Sequence, residues 1–125
     1  MCSHLARTVA EGRAFMQMIA GRPVDAFSGK RIDVICPSDG KVFASIPASD
    51  AADVDAAVKA ARVAFDEGRW GRMPAVERGR CLARLATLVE REAEALAALE
   101  SRDTGKPIRQ GKADVAAARR YYEFY

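Results

Sequence analysis

Histidine is almost missing from this 125-residue chain, with His4 the only one, and cysteine is scarce at Cys2, Cys36 and Cys81. No CxxC pair occurs, so a tetrahedral zinc site built from Cys and His lacks its ligands. An odd, scattered set of thiols fits reduced cytosolic cysteines better than a disulfide framework, and the expected compartment is cytoplasmic. Long apolar runs are absent too. An uncharged stretch such as residues 14–21 is far below the ~20 residues that a membrane-crossing helix needs. Arg7, Glu11 and Arg13 interrupt a weakly apolar start, which makes a poor targeting peptide. Glycine forms neither GxGxxG nor a Walker loop. Charge of one sign is also lacking. The 20 basic and 17 acidic groups leave +3, spread over both halves without a basic arm, which argues against nucleic-acid binding.

What is present favours helix. Alanine is the commonest residue, and the apolar half of the chain with 30% charge excludes wholesale disorder. Residues 1–17 show no clean period and are expected to be a loose N-terminal extension. Short strands are expected from about residue 22 to 47. Pro23 to Ala26 comes first, then Ile32, Val34 and Ile35, then Val42 to Pro47. The turn cluster Pro37–Ser38–Asp39–Gly40 separates the last two. Such short strands need another layer to be stable.

Three helices are expected after them, at about 51–67, 75–101 and 111–125. Asp50 or Ser49 can cap the first, with Asp53 adding a carboxylate near the free N–H groups. Val54, Val58, Ala61 and Phe65 form one apolar stripe at steps of 4, 3 and 4. Pro74 opens the second helix, whose face runs through Val76, Leu82, Leu85, Val89, Ala93, Leu96 and Leu99. Asp103–Thr104–Gly105–Lys106–Pro107 ends it. In the third, Val115, Ala118, Tyr122 and Tyr125 share a side, with Arg119 and Arg120 expected outward and the tyrosines inward. Aromatics this large need a partner surface.

Catalytic chemistry is scarce. Asp53 with Asp55 and Glu92 with Glu94 are i,i+2 pairs that diverge on a helix, so they fit a solvated surface. A cysteine nucleophile needs a base, and no second histidine exists. Cys81 fits a small core residue, and Cys36 a more exposed thiol. Thr104–Gly105–Lys106 echoes a phosphate cradle, but Pro107 follows where a helix should continue.

Several stretches together resemble the N-terminal part of the aldehyde dehydrogenase superfamily. Residues 18–26, MIAGRPVDA, are similar to its opening strand. Residues 32–40, IDVICPSDG, resemble its strand ending in Asn-Pro-x-Thr-Gly, with Cys36 in place of the usual Asn and Asp39 in place of Thr. Residues 53–65, DVDAAVKAARVAF, resemble its first helix, and Trp70 its linker tryptophan. Arg78–Gly79–Arg80 with Leu82 and Leu85 resembles the start of the next helix. Residues 99–107, LESRDTGKP, resemble its Leu-Glu-x-x-Asp-x-Gly-Lys-Pro block, and residues 121–125 its aromatic run.

The resemblance implies an α/β fold, with residues 18–125 as an incomplete N-terminal portion of a cofactor-binding domain. It implies a full-length parent that oxidises an aldehyde to a carboxylic acid with NAD or NADP, through thiolate addition, hydride transfer and hydrolysis. That family's catalytic cysteine, glutamate and asparagine have no counterpart here, so neither catalytic nor cofactor-binding residues are assigned, and the chain alone is expected to be inactive. The implied partners are the remainder of the subunit and further copies in a homo-dimer or homo-tetramer, with no nucleic acid or membrane. The family's structural monovalent cation, sodium or potassium, points to the backbone carbonyls of Val34, Ile35 and Asp103. Ala117 and Tyr121 are the positions that would border a substrate tunnel. The alternative is a small stand-alone interaction module that uses its aromatic C-terminal helix.

Overall fold

The strand β5 (Val42–Pro47) buries the consecutive residues Phe43 and Ala44, one on each face, while Val42 and Ile46 are exposed. The computed structural model describes residues 12–125. β5 is the middle of a three-stranded sheet, between β1 (Arg13–Ala14) and β4 (Arg31–Ile35). β1 pairs parallel to it, Arg13 opposite Ala44 and Ala14 opposite Ser45. β2 (Gln17–Ile19) and β3 (Arg22–Val24) form a separate antiparallel hairpin. Its two-residue turn puts Ala20 at φ 51° and Gly21 at φ 74°, the left-handed pair that suits the twist of a hairpin.

Residues 1–11 of the expected loose extension lie outside the described residues. Within 12–17, β1 and the first residue of β2 stand where no regular element was expected. Two-residue pairing onto β5 leaves no periodicity for a sequence to display.

Two compact units divide the chain. One holds residues 12–34 and 42–73, which comprise these strands except Ile35 of β4, with α1 (Ala51–Asp66) and the short α2 (Arg69–Arg72). Asp50 caps α1 as expected. Its carboxylate accepts from the Ala52 and Asp53 N–H groups while Asp53 accepts from the Asp50 N–H, a reciprocal capping box. The linker around Trp70 is a helical turn rather than an open loop.

The other unit contains residues 35–41 and 74–125, with α3 (Ala75–Arg91), α4 (Ala93–Thr104) and α5 (Ile108–Phe124). The single helix expected over 75–101 is therefore two, broken at Glu92, whose backbone N–H is shared between the Leu88 and Glu90 carbonyls. No glycine or proline marks that site, so local propensity could not reveal the break. α4 ends as expected, on Gly105 at φ 76°. α5 starts three residues earlier than expected, directly after Pro107, because Gly111 lies inside the helix and packs against α4. Ala86 and Ala97 supply the buried apolar positions of α3 and α4.

Candidate functional site

A carboxylate is the best-held group in the strand-rich unit. Asp53 is 1% exposed, and it accepts from the Asp50 N–H at 3.0 Å, the Phe27 N–H at 3.0 Å and the Gln17 amide at 3.1 Å. Those donors, led by the Asp50 N–H, hold its pKa below the usual carboxylate range against the opposing effect of burial. Gln17 also donates to the Asp25 carbonyl and accepts from the Ser49 hydroxyl, so one amide joins β2 to the start of α1. With every donor an internal group, Asp53 organises the fold rather than a reaction.

Arg31 plays the same part for the three-stranded sheet. Its guanidinium donates to both Asp25 oxygens at 2.7 Å, to Ser45 Oγ at 2.9 Å and to the Ser45 carbonyl at 3.0 Å. It also donates to the Phe15 carbonyl. Only an Arg fork can reach so many acceptors at once.

In the helical unit, the turn after Ile35 closes through Cys36 N–H to the Lys41 carbonyl and Gly40 N–H to the Cys36 carbonyl, both 2.9 Å. Cys36 is buried, contrary to the exposed thiol expected, with its backbone N–H and carbonyl both engaged within the turn and its thiol hydrogen-bonded to the Asp39 carboxyl. The Asp39 carboxyl is held below its ordinary range chiefly by the Lys41 N–H, with smaller help from the Cys36 thiol and the Lys41 and Arg102 charges. Cys81 is half-buried. Neither thiol is joined to a histidine among the described residues.

The three residues singled out as cation ligands are placed as follows. Val34 and Ile35 are consecutive on β4, at an edge of its sheet, and Asp103 is exposed in the last turn of α4. Val34 belongs to the strand-rich unit, and Ile35 and Asp103 to the helical one. No side-chain cluster of metal-ligating residues exists among the described residues.

Ala117 and Tyr121 line an open concavity of about 430 Å³ at the end of α5, together with Arg120, Phe124 and Tyr125. The last three were not singled out for it, although the spacing 117, 120, 121, 124 marks one side of a helix. The tyrosines were expected inward, yet Tyr121 is 67% exposed. Gly111, Val115 and Arg119, at steps of four, take the inward side instead. Arg119 pairs with Glu90 of α3 at 2.7 Å and with Glu123 at 2.9 Å, and those carboxylates, Glu123 first, raise its pKa further. Lys106 bridges Glu100 at 2.6 Å and Asp114 at 2.9 Å, which raises its pKa in the same order. The echo of a phosphate cradle at Thr104–Lys106 is thus a helix stop, its lysine engaged by two acids.

No helix among the described residues is long and apolar enough to cross a membrane. The model of the aldehyde dehydrogenase family matches residues 24–125. Aldehyde dehydrogenase family 2 member B4, mitochondrial, of Arabidopsis thaliana is 46% identical over 109 residues, which are 86% of this chain and 20% of that protein. The mitochondrial aldehyde dehydrogenase of Equus caballus is 54% identical over 84 residues, 66% of this chain and 17% of its own length. Among solved structures, the NAD-dependent aldehyde dehydrogenase of Sinorhizobium meliloti superposes with a TM-score of 0.87 at 38% identity. That match covers 94% of this chain and 24% of the other. The aldehyde dehydrogenase of Bacillus cereus in its NAD+ complex gives 0.88 at 34% identity, over all of this chain and 26% of the other. The chain thus spans 17% to 26% of the length of these relatives.

Proposed function

The chain belongs to the aldehyde dehydrogenase family, corresponding to its N-terminal part, and on that premise we propose that it serves an NAD+-dependent oxidation of an aldehyde to a carboxylic acid. In the net reaction the aldehyde and water yield the acid, while hydride passes to the dinucleotide and a proton is released. The observation that carries this reading is the agreement of sequence and backbone across 94% of the chain with an NAD-dependent member.

The residues present do not fit the dinucleotide itself. The chain has no glycine-rich phosphate loop, and the positive-φ glycines among the described residues, at 12, 21, 29, 40 and 105, are scattered along the chain. No catalytic step is assigned to it. Its contribution is structural, a strand-and-helix layer for the rest of a subunit. That subunit works in a homo-dimer or homo-tetramer of the cytoplasm, where Cys36 and Cys81 stay as free thiols.

A monovalent cation held by the Val34, Ile35 and Asp103 carbonyls is part of the same proposal. Two observations support the donor set. Asp103 is among the last four residues of α4, whose carbonyls lack intrahelical partners, and β4 is a sheet edge, where alternate carbonyls lack a ladder partner, so that the edge leaves one of the consecutive Val34 and Ile35 carbonyls free. Carbonyl oxygens are hard donors that can replace a hydration shell. Exchange of sodium and potassium for tetramethylammonium at constant ionic strength is expected to lower the melting temperature, and an unchanged transition would remove the site.

Intact mass of the protein from its native source tests the main reading. A mass about four times the 13.5 kDa of this chain is expected. The purified 125-residue chain should produce no NADH with aldehydes and NAD+. Turnover by it would overturn the assignment of catalysis to other residues.

A further inference from the structure

Among the described residues, one buried side-chain oxygen of the helical unit has no partner. Glu92, which its sequence spacing places on a solvated surface, is only 7% exposed at the α3–α4 break. Its Oε1 accepts from Arg91 Nε at 3.0 Å, but neither a donor nor an acceptor reaches Oε2. A carboxyl oxygen buried in this way costs stability, and in folded proteins such atoms are met by ordered water or an ion. Protonation gives no relief, because it exchanges an orphan acceptor for an orphan donor.

The backbone is open at the same place. Glu92 N–H is the last to bond back within α3, and Leu96 N–H the first in α4, to the Glu92 carbonyl at 3.0 Å. The Ala93, Glu94 and Ala95 N–H groups therefore stand ahead of the α4 ladder, and the Glu92 side chain does not cap them. Interruptions of this kind arise at proline, glycine or serine, at π-bulges, or where a side chain or water enters the ladder. Residues 88–96 hold no proline, glycine or serine, and the Glu92 and Leu96 N–H groups both reach carbonyls four residues back. With no side chain bonded into the gap, water is the cause that is left.

We propose that one ordered water is bound inside the α3–α4 break, donating to Glu92 Oε2 and accepting from an N–H group in the first turn of α4. The ligand must both donate and accept, which selects water among small molecules. A cation is disfavoured by the positive end of α4 and by Lys112 and Arg119, which α5 brings to the acids on either side of Glu92. Those pairs, Lys112–Glu94 at 2.8 Å and Arg119–Glu90 at 2.7 Å, fasten both helices to α5 across the break. An anion would be repelled by the Glu92 oxygen itself. A side chain from another molecule cannot serve, since Oε2 is already enclosed by this chain.

The test is a high-resolution crystal structure of the protein from its native source, beside its Glu92→Gln and Glu92→Met variants. One water peak is expected about 2.7–2.8 Å from Oε2, with a second bond to the Ala93, Glu94 or Ala95 N–H. A dry Oε2, or a protein donor on it, would overturn the proposal. Anomalous density at the peak after rubidium exchange would assign it to a monovalent cation and overturn it as well. Glu92→Gln keeps a polar group for the water and should retain the peak, whereas Glu92→Met should lose it. A peak that survives in Glu92→Met would belong to the backbone alone and overturn the part given to Glu92. In solution, Glu92→Met should lower the melting temperature by ~2 °C or more. An equal or higher value would show that Oε2 is simply uncompensated, and would also overturn the proposal.

Discussion

Gly111 of α5 rests directly on the backbone of Ala97 in α4. A Cβ placed on Gly111 would stand 2.9 Å from the Ala97 carbonyl oxygen, closer than such atoms approach, and both residues are buried. The crossing of the two helices is set by the absence of one methyl group.

Gly111→Ala should therefore destabilise the helical unit by about 1–2 kcal/mol, the overpacking cost less a partial gain in helix propensity. Gly79→Ala in α3 is the matched comparison, since its Cβ would meet nothing within 4 Å. It should gain about 0.5–1 kcal/mol. Urea unfolding of both variants checks the opposite signs.

Ala20 adopts φ 51° in the β2–β3 turn, a conformation costly for a residue with a Cβ and no polar side chain. Ala20→Asn should stabilise by about 0.5–1 kcal/mol, because Asn favours the left-handed region and the type of turn. A lower melting temperature for Ala20→Asn would show that the hairpin takes another turn.

Acid should loosen the protein through Asp53 and Asp39. Both have folded pKa values below 3.8, so the stability they contribute is present above their unfolded pKa and is lost as pH falls through the folded values. The unfolding midpoint should drop steeply below about pH 4. Asp53→Asn should flatten that drop while lowering the midpoint at neutral pH, because an amide cannot accept from all three donors with the same strength. Lys106 has the reverse sign. Its raised pKa places its contribution below the unfolded value, and it is lost as pH rises through the folded one.

Arg31→Lys should cost about 1–3 kcal/mol although the charge is kept, since a single ammonium cannot span Asp25, Ser45 and the Phe15 carbonyl together. Calorimetry of Arg31→Lys beside Arg31→Ala measures how much of the loss is geometry. Similar losses would mean that the fork, not the charge, holds the sheet.

The sequence by itself determined whatever depends on neighbours along the chain. The Asp50 cap with its Asp53 return, the stop at Gly105 and the strands about Ile32 and Val42 all follow from residues within a few positions of one another, and the family resemblance from several such stretches in order. The amphipathic stripe of α1 was equally legible, but which surface it meets was not, because periodicity marks a face without naming its neighbour. Tertiary structure decided the rest. Nothing near Glu92 foretells a helix break, β1 exists only through pairing with β5, and the inward side of α5 is set by the fit of Gly111 on Ala97 rather than by its larger aromatics. Cys36 is buried, which no local pattern in the sequence foretells. Local propensities are worth tenths of a kcal/mol per residue, whereas close packing and buried hydrogen bonds are worth more. Where the two compete, contacts between residues distant in sequence prevail.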